Sequence, residues 1–130
     1  MSMDIYTPSN GDILHKTQAD FSRRIIQNVI YLTQYDSELP VIEVSLFQNG
    51  EEYSVPDNID VYIRWGNNDN TSVKTKCMRS SDYKKVYFRI SSDMSSLFGV
   101  LNPILELVSG TNRAGSSSIP VVIDRNPVQN

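Results

Sequence analysis

An Asn-Gly pair at residues 49 and 50 constrains this chain more than any other feature, because it separates two apolar-rich stretches at residues 41–48 and 51–55. A two-residue type I′ turn requires positive φ at both central residues, and Asn-Gly adopts these angles readily. Such a turn fixes the pairing of the flanking strands. We expect the opposed pairs Gln48–Glu51, Leu46–Tyr53 and Val44–Val55. The two apolar pairs then share one face, so the sequence predicts a hairpin with one buried face.

The composition is that of one globular domain. The chain has 130 residues, a net charge of −3 and a single cysteine, Cys77, which rules out an internal disulfide framework and suits folding in a reducing cytoplasm. The first residues lack the basic and apolar regions of a signal peptide, and no apolar run is long enough to span a membrane. The acidic balance argues against nucleic acid as a partner. We expect neither a membrane nor a nucleic acid among the partners.

Further stretches have the alternation of half-buried strands. Ile59, Val61, Ile63 and Trp65 alternate with polar or amphipathic residues. In residues 23–35 helical and strand spacing compete, and the density of β-branched and aromatic residues favours a strand. Beyond the hairpin and these two stretches, strands are expected at residues 72–78, 84–90, 100–108 and 118–124.

Turn signals divide these strands at short intervals, which is typical of an all-β fold. Residues 66–70 and 109–115 read as loops, and Ser92 is expected to cap one helical turn before Gly99. Pro103 and Pro120 lack the backbone N–H, so their strands are expected to be edges or to be bulged there. We predict an antiparallel, Ig-like two-sheet β-sandwich of about seven or eight short strands at residues 23–125, with an N-terminal arm at 1–22 and a C-terminal tail at 126–130.

The residues that commonly carry chemistry are few. His15 is the only histidine, and catalysis would require a base and an orienting group around it. Cys77 is expected to point inward as a small apolar filler, and no Cys/His pair has the spacing of a zinc site. Glu43 and Glu106 lie on separate strands and form a weak candidate for a glycosidase pair. We therefore expect no enzyme activity, no metal and no cofactor.

Aromatic residues are expected in two kinds of position. Trp65 is most simply a core residue. Tyr31, Tyr53, Tyr62 and Tyr87 fall on outer faces, where amphipathic tyrosines can anchor protein partners, although a partly buried sheet surface explains them equally well.

The N-terminal arm carries several large apolar side chains: Ile5, Tyr6, Ile13, Leu14 and Phe21. Leaving such groups in water forfeits roughly 1.5–3 kcal/mol for each large side chain. We expect the arm to lie on a neighbouring subunit or on the structure that the protein decorates. The alternative is an N-terminal element packed on its own sandwich.

Seven short blocks occur in an order that resembles a known family. They lie at residues 24–27, 32–36, 39–41, 62–66, 86–88, 93–99 and 119–128. As a set they resemble the N-terminal domain of phage baseplate upper proteins, from siphophages and prophages of Gram-positive bacteria. The resemblance covers residues 22–128. Family members usually carry Lys-x-Pro-Asp-Gly after the Arg-Trp strand, where this chain has Gly66-Asn67-Asn68-Asp69-Asn70.

The resemblance implies a non-enzymatic virion structural protein. Such a β-sandwich anchors receptor-binding or fibre components to the tail baseplate, after synthesis in the cytoplasm of the host bacterium. Other virion proteins and copies of the chain itself, with a trimer favoured, are the implied partners. The residues expected to bind partners are Ile5, Tyr6, Ile13, Leu14, Phe21, Tyr62 and Tyr87.

Three alternative functions remain open from the residues. A head-fibre attachment module would use the same kind of small β-domain as a tail adaptor. A carbohydrate-binding sandwich would require Trp65 to point outward as part of an aromatic platform. A small hydrolase would require a catalytic pair that the sequence does not show.

Overall fold

The computed structural model describes residues 4–66, 72–96 and 98–126. Within them the chain forms twelve strands and one short helix. The elements are β1 (Ile13–Asp20), β2 (Ile30–Thr33), β3 (Pro40–Gln48), β4 (Glu51–Glu52), β5 (Asp60–Gly66), β6 (Ser72–Lys76), β7 (Met78–Arg79), β8 (Lys85–Arg89), α1 (Ser92–Ser95), β9 (Gly99–Leu101), β10 (Ile104–Ser109), β11 (Asn112–Gly115) and β12 (Val121–Asp124).

The expected all-β sandwich is confirmed, although the strands form three sheets where two were expected. The first sheet has the order β1-β3-β8-β7, with β4 paired to β3. The second has the order β11-β10-β5-β6, and the third has the order β2-β12-β9. Most neighbours are antiparallel, but β1 pairs in parallel with β3, and β2 with β12. The expectation of purely antiparallel sheets is therefore wrong at these two places.

The Asn-Gly hairpin is present with the expected turn. Asn49 has φ 52° and Gly50 has φ 84°, and Gln48 pairs with Glu51. The amide of Tyr53 donates to the carbonyl of Leu46 at 3.0 Å.

The expected pairing of Val44 with Val55 is wrong. Val44 pairs with Val86 of β8, and the amide of Val55 donates to the carbonyl of Tyr83 at 2.9 Å. In the part of β3 that precedes Leu46, the neighbouring strand is therefore β8 and not the second strand of the hairpin.

The core lies between the inward faces of the sheets. Val86, Phe88 and Ile90 are buried together on one face, as their alternation predicts. The indole of Trp65 is 4% exposed and donates from Nε1 to the carbonyl of Met94 at 2.8 Å. Because this bond satisfies the single polar atom of the ring, the indole can be buried without an unpaired donor.

Residues 13–20, which the sequence placed in the arm, form β1. This strand lies alongside β3 in register from Ile13–Pro40 to Asp20–Phe47. Thr17 and Ala19 point inward and are buried, and their small side chains allow the edge strand to close over the core. The expectation that all of residues 1–22 lack regular structure is therefore wrong for residues 13–20.

Four other features differ from those expected. Residues 109–115 are a hairpin between β10 and β11 rather than a loop. The strand expected at residues 100–108 is divided at Asn102 and Pro103 into β9 and β10, while β12 begins just after Pro120. Ser91, not Ser92, caps α1. The expected turn at residues 67–70 and tail at 127–130 lie outside the described residues.

The long strand expected from residue 23 shortens to β2. Before it, side chains hold the backbone in place of a ladder: Gln27 donates to the carbonyl of Gln18 at 2.6 Å, and Thr17 donates to the carbonyl of Asn28 at 2.8 Å. The backbone of Asn28 is thus bonded by side chains of β1, its carbonyl by Thr17 and its amide by Oε1 of Gln18, rather than by a strand partner.

Asp20 joins the end of β1 to the hairpin turn. Its carboxylate is fully buried and accepts four backbone N–H bonds, from Ser22 at 2.7 Å, Arg23 and Asn49 at 3.1 Å, and Gly50 at 2.8 Å. Burial raises the pKa of this carboxyl, but the backbone bonds outweigh burial and hold the pKa below its ordinary value.

Replacement of Gly50 by valine is expected to strain the turn. A Cβ at this position would lie 2.1 Å from Nη2 of Arg23, whose exposed side chain can move away, whereas the positive φ remains. Gly50→Val should lower the free energy of unfolding by at least ~1 kcal/mol more than Glu51→Ala in the same turn. Chemical denaturation checks this, and equal midpoints for the two variants would contradict it.

Replacement of Asp20 by asparagine is expected to destabilise the fold by about 1–3 kcal/mol at neutral pH, because the amide nitrogen cannot accept the bonds that one carboxylate oxygen accepts. The folded-state pKa is lowered, so this stabilisation is present above the unfolded pKa of about 3.9 and is lost as the pH falls through the folded value. Denaturant unfolding of wild type and Asp20→Asn from neutral to acidic pH should show the difference shrinking only at acidic pH. The control Glu51→Gln should show no such difference.

Candidate interaction surfaces

The segment before β1 runs along the first sheet as an additional edge. The amide of Arg79 donates to the carbonyl of Asp4, and the amide of Tyr6 donates to the carbonyl of Arg79, both at 2.9 Å. Ile5 forms a parallel bridge with Arg79. The sequence left two resting places open for this segment, and in the single chain it lies on its own domain.

Tyr6 covers the ring of Tyr87. The two ring centroids are 4.2 Å apart and the ring planes are nearly parallel, at 16° to each other, so the rings are stacked. Tyr87 also donates from its hydroxyl to Glu43 at 3.0 Å, and burial together with this bond raises the pKa of Tyr87 to about 12. Of the two explanations that the sequence left open for Tyr87, the partly buried sheet surface agrees with the structure of the single chain, because the N-terminal segment lies over the ring.

Asp12 holds the same segment through its carboxylate. It accepts bonds from Nη1 of Arg89 at 2.6 Å, Nη2 of Arg89 at 3.1 Å, the hydroxyl of Tyr6 at 2.6 Å and the amide of Ser9 at 2.8 Å. The Arg89 guanidinium, helped by Tyr6 and Ser9, holds the pKa of this carboxyl well below its usual range. Asp12 is thus ionised over the whole ordinary pH range and pairs with a cation on β8.

The other residues expected to bind partners are differently placed. Ile5, Ile13 and Leu14 are exposed, by 46%, 52% and 39%. Phe21 packs against the core and against Tyr53, with ring centroids 5.7 Å apart. The structure therefore brings Tyr6 and Tyr87 together but leaves Ile5, Ile13 and Leu14 open to contact.

Glu106 organises the outer face of the second sheet. This nearly buried carboxylate lies 3.2 Å from both Arg64 and Lys74 and 3.5 Å from Arg113. Burial raises the pKa of Glu106, but Lys74 and Arg64 outweigh it and lower the pKa. The Lys74 ammonium also lies 4.8 Å from the ring centroid of Tyr62, so this predicted contact residue is partly covered.

The candidate catalytic residues are not brought together. Glu43 lies in the first sheet with Tyr87 and Lys85, and Glu106 lies in the second sheet with its own three cations. Cys77 is buried, as expected, and burial raises the pKa of its thiol well above the ordinary value. Among the residues that the structure describes, no three His, Cys, Asp or Glu side chains are grouped as metal ligands, and no helix could cross a bilayer.

The third sheet presents an apolar outer face. Tyr31, Val122 and Val100 form one row across its three strands, because Val122 pairs with both of the others. Tyr31 is 61% exposed and Val100 69%. Val29 and Phe98 extend this surface along the sheet, and we name these five residues the third-sheet face.

The opposite side of the same sheet is buried. Ile30, Leu32, Val121 and Ile123 point into the core, with 2%, 3%, 1% and 2% exposure. The third sheet is thus apolar on both sides, although only one side is covered by its own domain. Of the third-sheet face, the sequence indicated Tyr31 alone as a candidate contact, since the row depends on the pairing of β12 with β2 and β9.

Loss of the Asp12 carboxylate is expected to release the N-terminal segment. Asp12→Asn removes the charge that pairs with Arg89, and the amide nitrogen cannot accept its second bond. Amide hydrogen exchange at Tyr6 should become faster, while exchange in β3 and β10 stays as in wild type. The control is Asp4→Asn, since the structure ties Asp4 to the sheet through its backbone. Unchanged protection of Tyr6 in Asp12→Asn would show that the carboxylate does not hold the segment.

The comparisons with known proteins identify a shared fold. No family model and no curated protein matches the chain. The solved N-terminal domain of phage TP901-1 ORF48 superposes with a TM-score of 0.70 and 8% sequence identity. The match covers 85% of this chain and 98% of that domain. The chain therefore has the β-rich fold of that phage domain.

Proposed function

We propose that this chain is a non-enzymatic structural protein of a phage virion, a β-sandwich adaptor that anchors receptor-binding or fibre components to the tail baseplate. The observation that carries the proposal is the structural match over 98% of the N-terminal domain of phage TP901-1 ORF48. The ordered sequence blocks that resemble baseplate upper proteins support the same role independently of that match.

The placement of charged side chains supports a structural role. Asp20, Glu43 and Glu106 are buried carboxylates, and each is engaged by hydrogen bonds or cations of the fold itself. Groups held in this way organise the backbone and the sheets, and they are not poised for proton transfer. The carbohydrate-binding alternative is disfavoured, because Trp65 is a core residue and cannot form an aromatic platform.

The surface offers contacts suited to assembly. Exposed large apolar side chains include Ile5, Ile13 and Leu14 near the start of the sequence and those of the third-sheet face. Apolar surface of this kind marks protein interfaces more often than it marks small-molecule sites. We propose that other virion proteins bind at Ile5, Ile13 and Leu14. The trimer implied by the sequence resemblance stays a prediction.

Purified virions of the phage that encodes the chain test this proposal. We expect the chain in the particles, with gold-labelled antibody bound at the tail tip. Label on the head would favour the head-fibre alternative, and absence of the chain from purified particles would contradict a virion role.

Variant particles test the contact residues. Ile13→Glu places a charge at the exposed start of β1 and should reduce incorporation into virions. Ile26→Glu is the matched control, because Ile26 is 99% exposed and lies outside the residues expected to bind partners. Both variants should fold, since neither side chain is in the core. Equal incorporation of the two would contradict the assignment of Ile13 to the contact.

A further inference from the structure

The third-sheet face has the properties of a surface that is covered in solution. Tyr31, Val100 and Phe98 are exposed by 61%, 69% and 56%, and the intervening Val122 joins Tyr31 and Val100 into one apolar row. Soluble monomers rarely leave a large contiguous apolar patch in water, and such patches mark interaction sites. The face of a short sheet is a suitable platform, since two sheets pack well when their apolar faces meet.

The two ends of this sheet carry opposite charges. Arg24 lines a groove with Asn102 and Ser118, at the end where β2 and β12 begin. Asp124 closes β12 at the other end, on the same side of the sheet as Val122. Neither Arg24 nor Asp124 makes an ion pair within the described residues. Each is therefore available to a partner.

Further charges reinforce this polarity. Asp36 lies at the same end as Asp124, and its carboxylate accepts a hydrogen bond from the amide of Thr33 at 2.9 Å. Asp93 lies there too, in the first turn of α1, whose end accepts a bond from Gln34. One cation, Arg125, is present at this end and lies over the ring of Phe98. The end is acidic on balance, whereas the Arg24 end is basic.

We propose that the third-sheet face binds a second copy of this chain across a two-fold axis that runs along the row Tyr31–Val122–Val100. Rotation about this axis places the row of one copy against the same row of the other copy. The strands of the two copies then run in opposite directions. The charge pattern is thereby complementary to itself, because the Arg24 end of one copy meets the Asp124 end of the other.

The spacing along the strands agrees with this arrangement. Asp124 lies two residues beyond Val122, and Pro120, at the Arg24 end, lies two residues before it. At about 3.4 Å per residue each of these two positions is roughly 7 Å from the axis, so the two ends of β12 overlie each other in the pair. A foreign partner would need this pattern in reverse, whereas a second copy supplies it. A two-fold contact of this kind is isologous and closes as a dimer.

Mass in solution tests the contact directly. Sedimentation equilibrium of the full chain, from about 1 to 100 μM, should show a monomer–dimer equilibrium that reaches twice the chain mass of 14.7 kDa. Val100→Lys places a charge in the row and should leave a monomer. Ala114→Lys is the matched control, because Ala114 is exposed on β11 of the second sheet and lies outside the residues expected to bind partners, and it should dimerise like wild type.

Charge reversal tests the orientation. Arg24→Glu and Asp124→Lys should each raise the dimer Kd at least about tenfold, because every reversal places like charges together twice in a symmetric dimer. The double variant Arg24→Glu with Asp124→Lys should recover most of the wild-type affinity. Circular dichroism and thermal melting confirm that each variant is folded before its mass is measured.

The outcomes separate cleanly from the virion role, which does not depend on the mass in solution. A monomeric wild type over the whole concentration range overturns the proposal whatever other protein the chain binds. The trimer that the sequence resemblance implies is the competing outcome, and a trimer in solution also overturns the proposal. A dimer that survives Val100→Lys overturns the assigned face. Weak dimers in both single charge variants without recovery in the double variant overturn the two-fold arrangement.

Discussion

The carboxylate of Asp20 ties together segments that no ladder joins. It accepts amide bonds from the chain leaving β1 and from both central residues of the hairpin turn after β3. β1 and β3 are parallel and end side by side, so one buried anion can serve both ends. The burial is tolerable because four N–H dipoles replace the lost water. The pairing with β3 positions β1, and the Asp20 carboxylate fixes the end of that pairing to the hairpin turn.

Local signals in the sequence predicted much of the sandwich. The residue types of Asn49 and Gly50 were enough to predict the type of turn. The alternation of Val86, Phe88 and Ile90 predicted the face of β8 that packs in the core. β1 was missed because its inward residues, Thr17 and Ala19, are small and give no apolar alternation. Its position is decided by β3, far along the chain, and a parallel pair leaves no turn between its strands to reveal the pairing.

The surface was less predictable than the core, since it depends on which strands become neighbours. Tyr31 was recognisable as an outward aromatic residue, but its alignment with Val122 and Val100 exists only once β12 lies between β2 and β9. The burial of Tyr87 could not be decided from the sequence for a related reason. Its ring faces outward from the sheet, and the residue that covers it, Tyr6, belongs to a segment without periodicity. Side-chain direction follows from alternation, whereas exposure requires the tertiary fold.

The pairing of β2 with β12 has a consequence for the order of events during synthesis. β2 is made early, yet its hydrogen-bond partner is the last strand of the described chain. Until the ribosome has released that strand, the inward side chains of β2 lack their neighbour, and contacts between such distant segments form slowly. The third sheet is therefore completed only after β12 has been synthesised. Its outer apolar row comes into being at that moment, so a nascent chain cannot associate through it prematurely.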